Sequence, residues 1–165
     1  MQKSTDIKKY IKSLAEYIDR NCFRLRPYPK VVIDRETQEG VFIRTGYYDF
    51  NDNVVNLKVD GRHIKDILRS CAHEFVHHNQ YLEGKIDPDK IDGDKLIGES
   101  DNVKYLNSLE EDAFLRGNIA FRKWTEVMKE EENNINLKQR NYEKNQDKRN
   151  TSETDSDRIS QQGSQ

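Results

Sequence analysis

The chain has 165 residues, 35 % charged and 33 % apolar, with a net charge of −2 and a mean hydropathy of −1.06. That length suits one small domain, and that polarity excludes a chain packed from end to end around a single core. Nothing in the balanced charge suggests a dedicated nucleic-acid surface, and no nucleic-acid partner is expected. No apolar run reaches membrane-spanning length, and two cysteines without a signal peptide point to a reducing, intracellular (cytoplasmic) compartment.

Residues 4–21 read as a helix, with Ser4 or Thr5 as cap and Ile7, Ile11, Leu14 and Ile18 at helical spacing. The run Arg26-Pro27-Tyr28-Pro29-Lys30 breaks it. Three strands are predicted next, at 31–33, 41–48 and 54–59, with turns at 38–40 and 49–53. Asp60 stands where it can cap the helix that follows.

That helix, residues 62–82, carries the decisive pattern. Ile64, Ile67, Leu68, Cys71, Ala72 and Phe75 form one apolar stripe at about 100° per residue, with Val76 at its margin. On the opposite side lie His73 and His77, near Asp66 and Gln80. His73-Glu74-Phe75-Val76-His77 is an H-E-x-x-H motif. Residues four apart on a helix share a face, so both imidazoles can reach one metal ion, and Glu74 can serve as general base. The competing reading is an ordinary solvated helix face.

A catalytic zinc takes three protein ligands. No third histidine occurs at position 83, which is Glu, and none follows His78. His63, His78 and the cysteines remain as formal alternatives, but Cys22 is distant in sequence and Cys71 belongs to the apolar stripe. The downstream carboxylates are Glu110, Glu111 and Asp112. A helix predicted over 106–128 decides among these three: Ala113, Phe114, Gly117, Phe121, Trp124 and Met128 fall within about 60° of Glu110. Glu110 is therefore expected on the inward stripe, where a carboxylate needs a partner. Glu111 is the reserve choice. Ala113 and Gly117 would let this helix approach the H-E-x-x-H helix closely.

Between these helices the loop 84–105 is acidic. It suggests calcium, but Gly93 falls one place beyond the position the EF-hand template requires from Asp87. The expectation is a solvated loop that disfavours acidic substrates. From Lys129 onward the larger apolar residues are Ile135, Leu137, Tyr142 and Ile159. The chain thus divides into a domain at 1–128 and a charged helix extension, 129–165, passing into a disordered tail.

His73-Glu74-x-x-His77 followed by Glu110-Glu111-Asp112-Ala113 resembles the small gluzincins, zinc peptidases of the H-E-x-x-H…E class. The stretches around 61–80 and 109–124 are similar to zinc peptidases encoded by bacterial viruses, and distantly to the ImmA-type proteases that cleave phage repressors. The resemblance spans about residues 28–128. It implies an α+β fold, a minimal zincin (minigluzincin) with a small, mainly antiparallel sheet, one Zn²⁺ per chain and hydrolysis of a peptide or protein substrate. A viral member would act in the host cytoplasm or in the particle. Phe114 departs from the family pattern, where an Asp or Asn supports a metal-binding histidine. That support must come from elsewhere, with Asp66 and Gln80 as candidates. Tyr47, Tyr48, Tyr81 and Tyr105 are candidate oxyanion donors, and an edge strand near 41–48 is a candidate for β-addition of a peptide. The alternative is a zinc-binding but non-catalytic interaction or virion-associated protein of the same fold.

Overall fold

The structure of the chain, a computed structural model, describes residues 4–36, 45–88, 91–92, 95–96 and 100–160. The order is α1 (Ser4–Asn21), β1 (Lys30–Asp34), β2 (Gly46–Asp49), β3 (Val54–Lys58), α2 (Ile64–Leu82), β4 (Ile91–Asp92), β5 (Lys95–Leu96) and α3 (Ser100–Ser160). It is a small α+β fold.

In α1, Ile7, Ile11, Leu14 and Ile18 lie on one face and are all buried. Trp124 of α3 closes over this helix: its Nε1 donates to Ser13 Oγ at 3.1 Å, and Tyr10 meets the indole edge-on. Asp19 then organises the segment after the helix. It accepts from the Leu25 amide at 2.9 Å and pairs with Arg26 at 2.8 Å.

The sheet has the order β1-β3-β2. It corrects the expectation of a mainly antiparallel sheet, because β1 runs parallel to β3 while β2 runs antiparallel to it. The tight turn 50–53, with Asn53 at φ 53°, forces β2 and β3 to be antiparallel. The long connection leaving β1 imposes no such constraint. Of the strand expected at 41–48, Gly46–Asp49 is strand. Residues 41–44 and the turn at 38–40 lie outside the described residues, as do the side chains of Ser4 and Thr5.

The cap of α2 is also corrected. Asp60 and Gly61, the latter at φ +65°, form one more turn, and His63 becomes the N-cap, accepting from the Lys65 amide at 3.2 Å. Arg62 ties this corner together, donating to the Thr45 and Lys58 carbonyls on the sheet side and to the Asp66 carbonyl and Ser70 hydroxyl of α2. The helix stops at Gly84, whose left-handed φ of 69° lets the Lys85 amide reach the Gln80 carbonyl at 2.8 Å. Ile67, Leu68, Cys71, Ala72, Phe75 and Val76 are buried, and α2 packs against α1 and the sheet. The acidic loop contains the short β4-β5 pair. Asp89, Asp94 and Glu99 of the calcium reading lie outside the described residues.

α3 begins at Ser100 rather than near 106. The chain forms two compact units, Met1–Trp124 and Thr125–Gln165. In the second, residues 129–146 are exposed, Ile135, Leu137 and Tyr142 among them. Among the described residues, no helix is long and apolar enough to cross a membrane.

Candidate metal centre

Burial of the apolar stripe rotates α2 so that His73 and His77 leave the core side by side. Their Nε2 atoms stand 3.1 Å apart. Glu110 of α3 completes the group, with Oε2 at 3.2 Å from His73 Nε2 and Oε1 at 3.3 Å from His77 Nε2. These three side chains are close enough to hold a metal ion. Glu111 is exposed on α3 and is not part of the group.

Two features bring the helices together. Gly117 lies against α2 so closely that a Cβ there would fall 3.0 Å from both the Cα and the N of His73. Leu109, Ala113, Ala120, Phe121 and Trp124 are buried beside it. The inward stripe is thus centred near Ala113 and Gly117, which corrects the expected phase. Glu110 sits at its edge with its side chain 62 % exposed, and Phe114 is 68 % exposed. The carboxylate reaches the histidines from the rim, so burial is not what obliges it to find a partner.

Charge couples the three groups. Hydrogen bonds from His73 and His77 hold the Glu110 carboxyl well below the usual carboxylate range. Burial pushes His77 toward its neutral form, but the Glu110 hydrogen bond and the charges of Glu74 and Glu110 outweigh it and leave its pKa raised. Glu74 is therefore close enough for its charge to act on His77. Its side chain is buried, and its Oε1 occupies space beside Gly46: a Cβ at that residue would come within 3.3 Å of it. This tight fit has no signal in the sequence, since it arises where β2 meets β3 and α2.

The support for His77 comes from Gln80, whose Oε1 lies 2.9 Å from His77 Nδ1. Asp66, the other candidate, pairs with Arg69 at 2.9 Å instead. The remaining histidines do other work. His63 caps α2. His78 is fully buried, with Nε2 at 2.9 Å from both the Leu25 and Pro27 carbonyls and Nδ1 at 3.0 Å from the Tyr48 hydroxyl. Cys71 is buried and Cys22 exposed, both as free thiols.

Two of the four tyrosine candidates are committed elsewhere. Tyr48 bonds Asn53 at 3.1 Å as well as His78, and burial pushes its pKa up to about 12. Tyr105 donates to the Lys85 carbonyl and accepts from the Asp87 amide, holding the loop after α2. Tyr81 stacks on Phe50, and Tyr47 lies exposed on β2.

No family model, curated protein or solved structure matches this chain. The functional reading therefore rests on the site itself.

Proposed function

We propose that the chain is a zinc-dependent metallopeptidase of the gluzincin type on a minimal zincin fold. His73, His77 and Glu110 hold one zinc ion, and Glu74 is the general base. The observation that carries this reading is the spacing of the three donor atoms. Four-coordinate zinc with bonds of about 2.0–2.1 Å sets neighbouring donors roughly 3.3–3.4 Å apart. Here the two Nε2 atoms stand 3.1 Å apart, and the Glu110 carboxylate straddles them, with Oε2 at 3.2 Å from His73 and Oε1 at 3.3 Å from His77. Taking one atom from each residue, the donors all lie within 4.8 Å of one another, so a small turn of the carboxylate lets two imidazoles and one oxygen close on zinc. This donor set leaves a fourth position free, as in catalytic sites.

Bound zinc supplies Lewis acidity and lowers the pKa of a coordinated water toward neutrality. The residues supply the rest. His73 and His77 present Nε2, and Glu110 contributes one negative charge. Glu74 follows His73 directly in the motif. Its carboxylate takes a proton from the attacking water and delivers it to the leaving amine nitrogen. Buried beside Gly46, it holds this position without a long, mobile arm. A metal site without hydrolysis has no use for that carboxylate.

Glu74→Gln tests the reading. The variant should retain one zinc per chain and hydrolyse peptides at least about 100-fold more slowly than the wild type. Equal hydrolysis by the two proteins would overturn the peptidase reading. Zinc binding without hydrolysis of any peptide in a diverse library, with Glu74→Gln equal to wild type in its biological setting, would instead make the chain a zinc-binding interaction module.

A further inference from the structure

Gln80 lies one turn beyond His77 on α2 and is fully buried. Its Nε2 donates twice, to the Leu109 carbonyl at 2.9 Å and to Asp112 Oδ2 at 2.9 Å. A carbonyl has no proton to give. Asp112 Oδ2 acts as an acceptor here, since it also takes a hydrogen bond from Arg116 Nη1 at 3.0 Å. Turning the amide over would set its oxygen against two acceptors, so its orientation is fixed by chemistry. The oxygen is left facing His77 Nδ1 at 2.9 Å, where it can only accept. His77 must therefore carry a proton on Nδ1, which leaves Nε2, facing His73 and Glu110, as the nitrogen that can give up its proton to a metal ion.

The far end of this chain of bonds is equally committed. Arg116 pairs with Asp112 at 3.0 Å and donates to Asn79 Oδ1 at 2.6 Å. Asn79, also fully buried, donates through Nδ2 to the Arg24 carbonyl at 3.0 Å. The Arg116 guanidinium lies over the Phe23 ring.

We propose that Gln80 is a positioning residue that makes His77 an Nε2 ligand only when α3 is docked. Both acceptors that orient its amide belong to α3, and they flank Glu110, the ligand that α3 itself supplies. One set of bonds thus aligns the second and third ligands together. Phe114 is exposed and brings no polar atom to the histidines, and Gln80 supplies that support from within α2. This inference rests on the metal-binding part of the proposed function and not on hydrolysis.

The test is zinc affinity by chelator competition, together with the imidazole N–H proton spectrum of the zinc-loaded protein. The wild type should show a slowly exchanging Nδ1–H resonance from His77. Gln80→Met removes the acceptor at similar volume. It should lose that resonance and bind zinc about 10–100-fold more weakly. Unchanged zinc affinity in Gln80→Met would overturn the proposal. So would a zinc-loaded wild type lacking the resonance, a measurement that needs no variant to fold. A wild type that takes up no zinc would overturn the metal centre as well, which separates the two failures.

Discussion

His77 and His78 are neighbours in the chain with opposite surroundings. His77 emerges toward α3, its side chain 13 % exposed, beside His73 and the Glu110 carboxylate. His78, about 100° further round the helix, is sealed between the Leu25 and Pro27 carbonyls and the Tyr48 hydroxyl. Nearby negative charge raises the pKa of the first, against the effect of burial. Burial lowers that of the second, against the pull of the two carbonyls. Two identical side chains thus do separate work: one forms part of an open cluster with room for a ligand, and the other is a clamp joining the segment after α1 to α2 and β2. What a histidine does is decided by which acceptors the fold brings to it.

The sharpest way to separate the two regions is Glu110→Ala. It should abolish stoichiometric zinc retention, measured as metal content by mass spectrometry, and leave the melting temperature of the metal-free protein within a few degrees. Retained zinc would show that Glu110 is not a ligand. Glu111→Ala is the control and should keep the metal.

His78→Leu should do the reverse. Several buried acceptors lose their partner at once, which costs about 2–4 kcal/mol, read by urea denaturation. Zinc content should stay at one per chain below the unfolding transition. Loss of zinc in a folded variant would mean that the clamp and the cluster are one unit.

Gly117→Ala should affect both, by less. The added Cβ meets backbone atoms of His73 at 3.0 Å, so α3 must move outward. Overpacking of this kind costs about 1–3 kcal/mol, and it displaces Glu110 from the histidines. Lower stability together with weaker zinc affinity is the expected outcome. An unchanged protein would mean that the close approach is dispensable.

The smallest effect belongs to the clamp side alone. The Leu25 amide, then Arg26 and Tyr28, hold the Asp19 carboxyl below its ordinary value of 3.8, against the effect of burial. A depressed carboxyl stabilises the fold above its unfolded pKa, and that contribution disappears as pH falls through the folded one. Asp19→Asn should therefore melt lower than the wild type at pH 7, with the gap narrowing as pH falls below 3.8. A gap independent of pH would assign Asp19 a purely steric role.

Helical periodicity made much of this molecule legible in advance. The four isoleucine and leucine positions of α1, the stripe of α2 and the metal motif all follow from side chains repeating every 3.6 residues, which is a local property. The same periodicity selected Glu110 over Glu111, although it set the apolar stripe of α3 slightly out of phase and so placed Phe114 inside when it is exposed. The parallel pairing of β1 with β3, the shift of the α2 cap to His63, and the space kept for Glu74 by Gly46 were not legible. Each depends on where a remote segment arrives.

The sequence by itself determined the chemistry on offer: two imidazoles and a glutamate on one helix, and a carboxylate on another. Short-range backbone geometry was enough to align them, because residues three and four apart on a helix are neighbours whatever surrounds them. Tertiary structure alone decided which neighbours those groups would meet. It seated α3 through Gly117, turned the amide of Gln80 toward His77 and closed the 22–29 segment over His78. Those contacts join residues far apart in the chain, and their geometry is set by packing and by the need to pair every buried polar atom, neither of which is written in any local stretch.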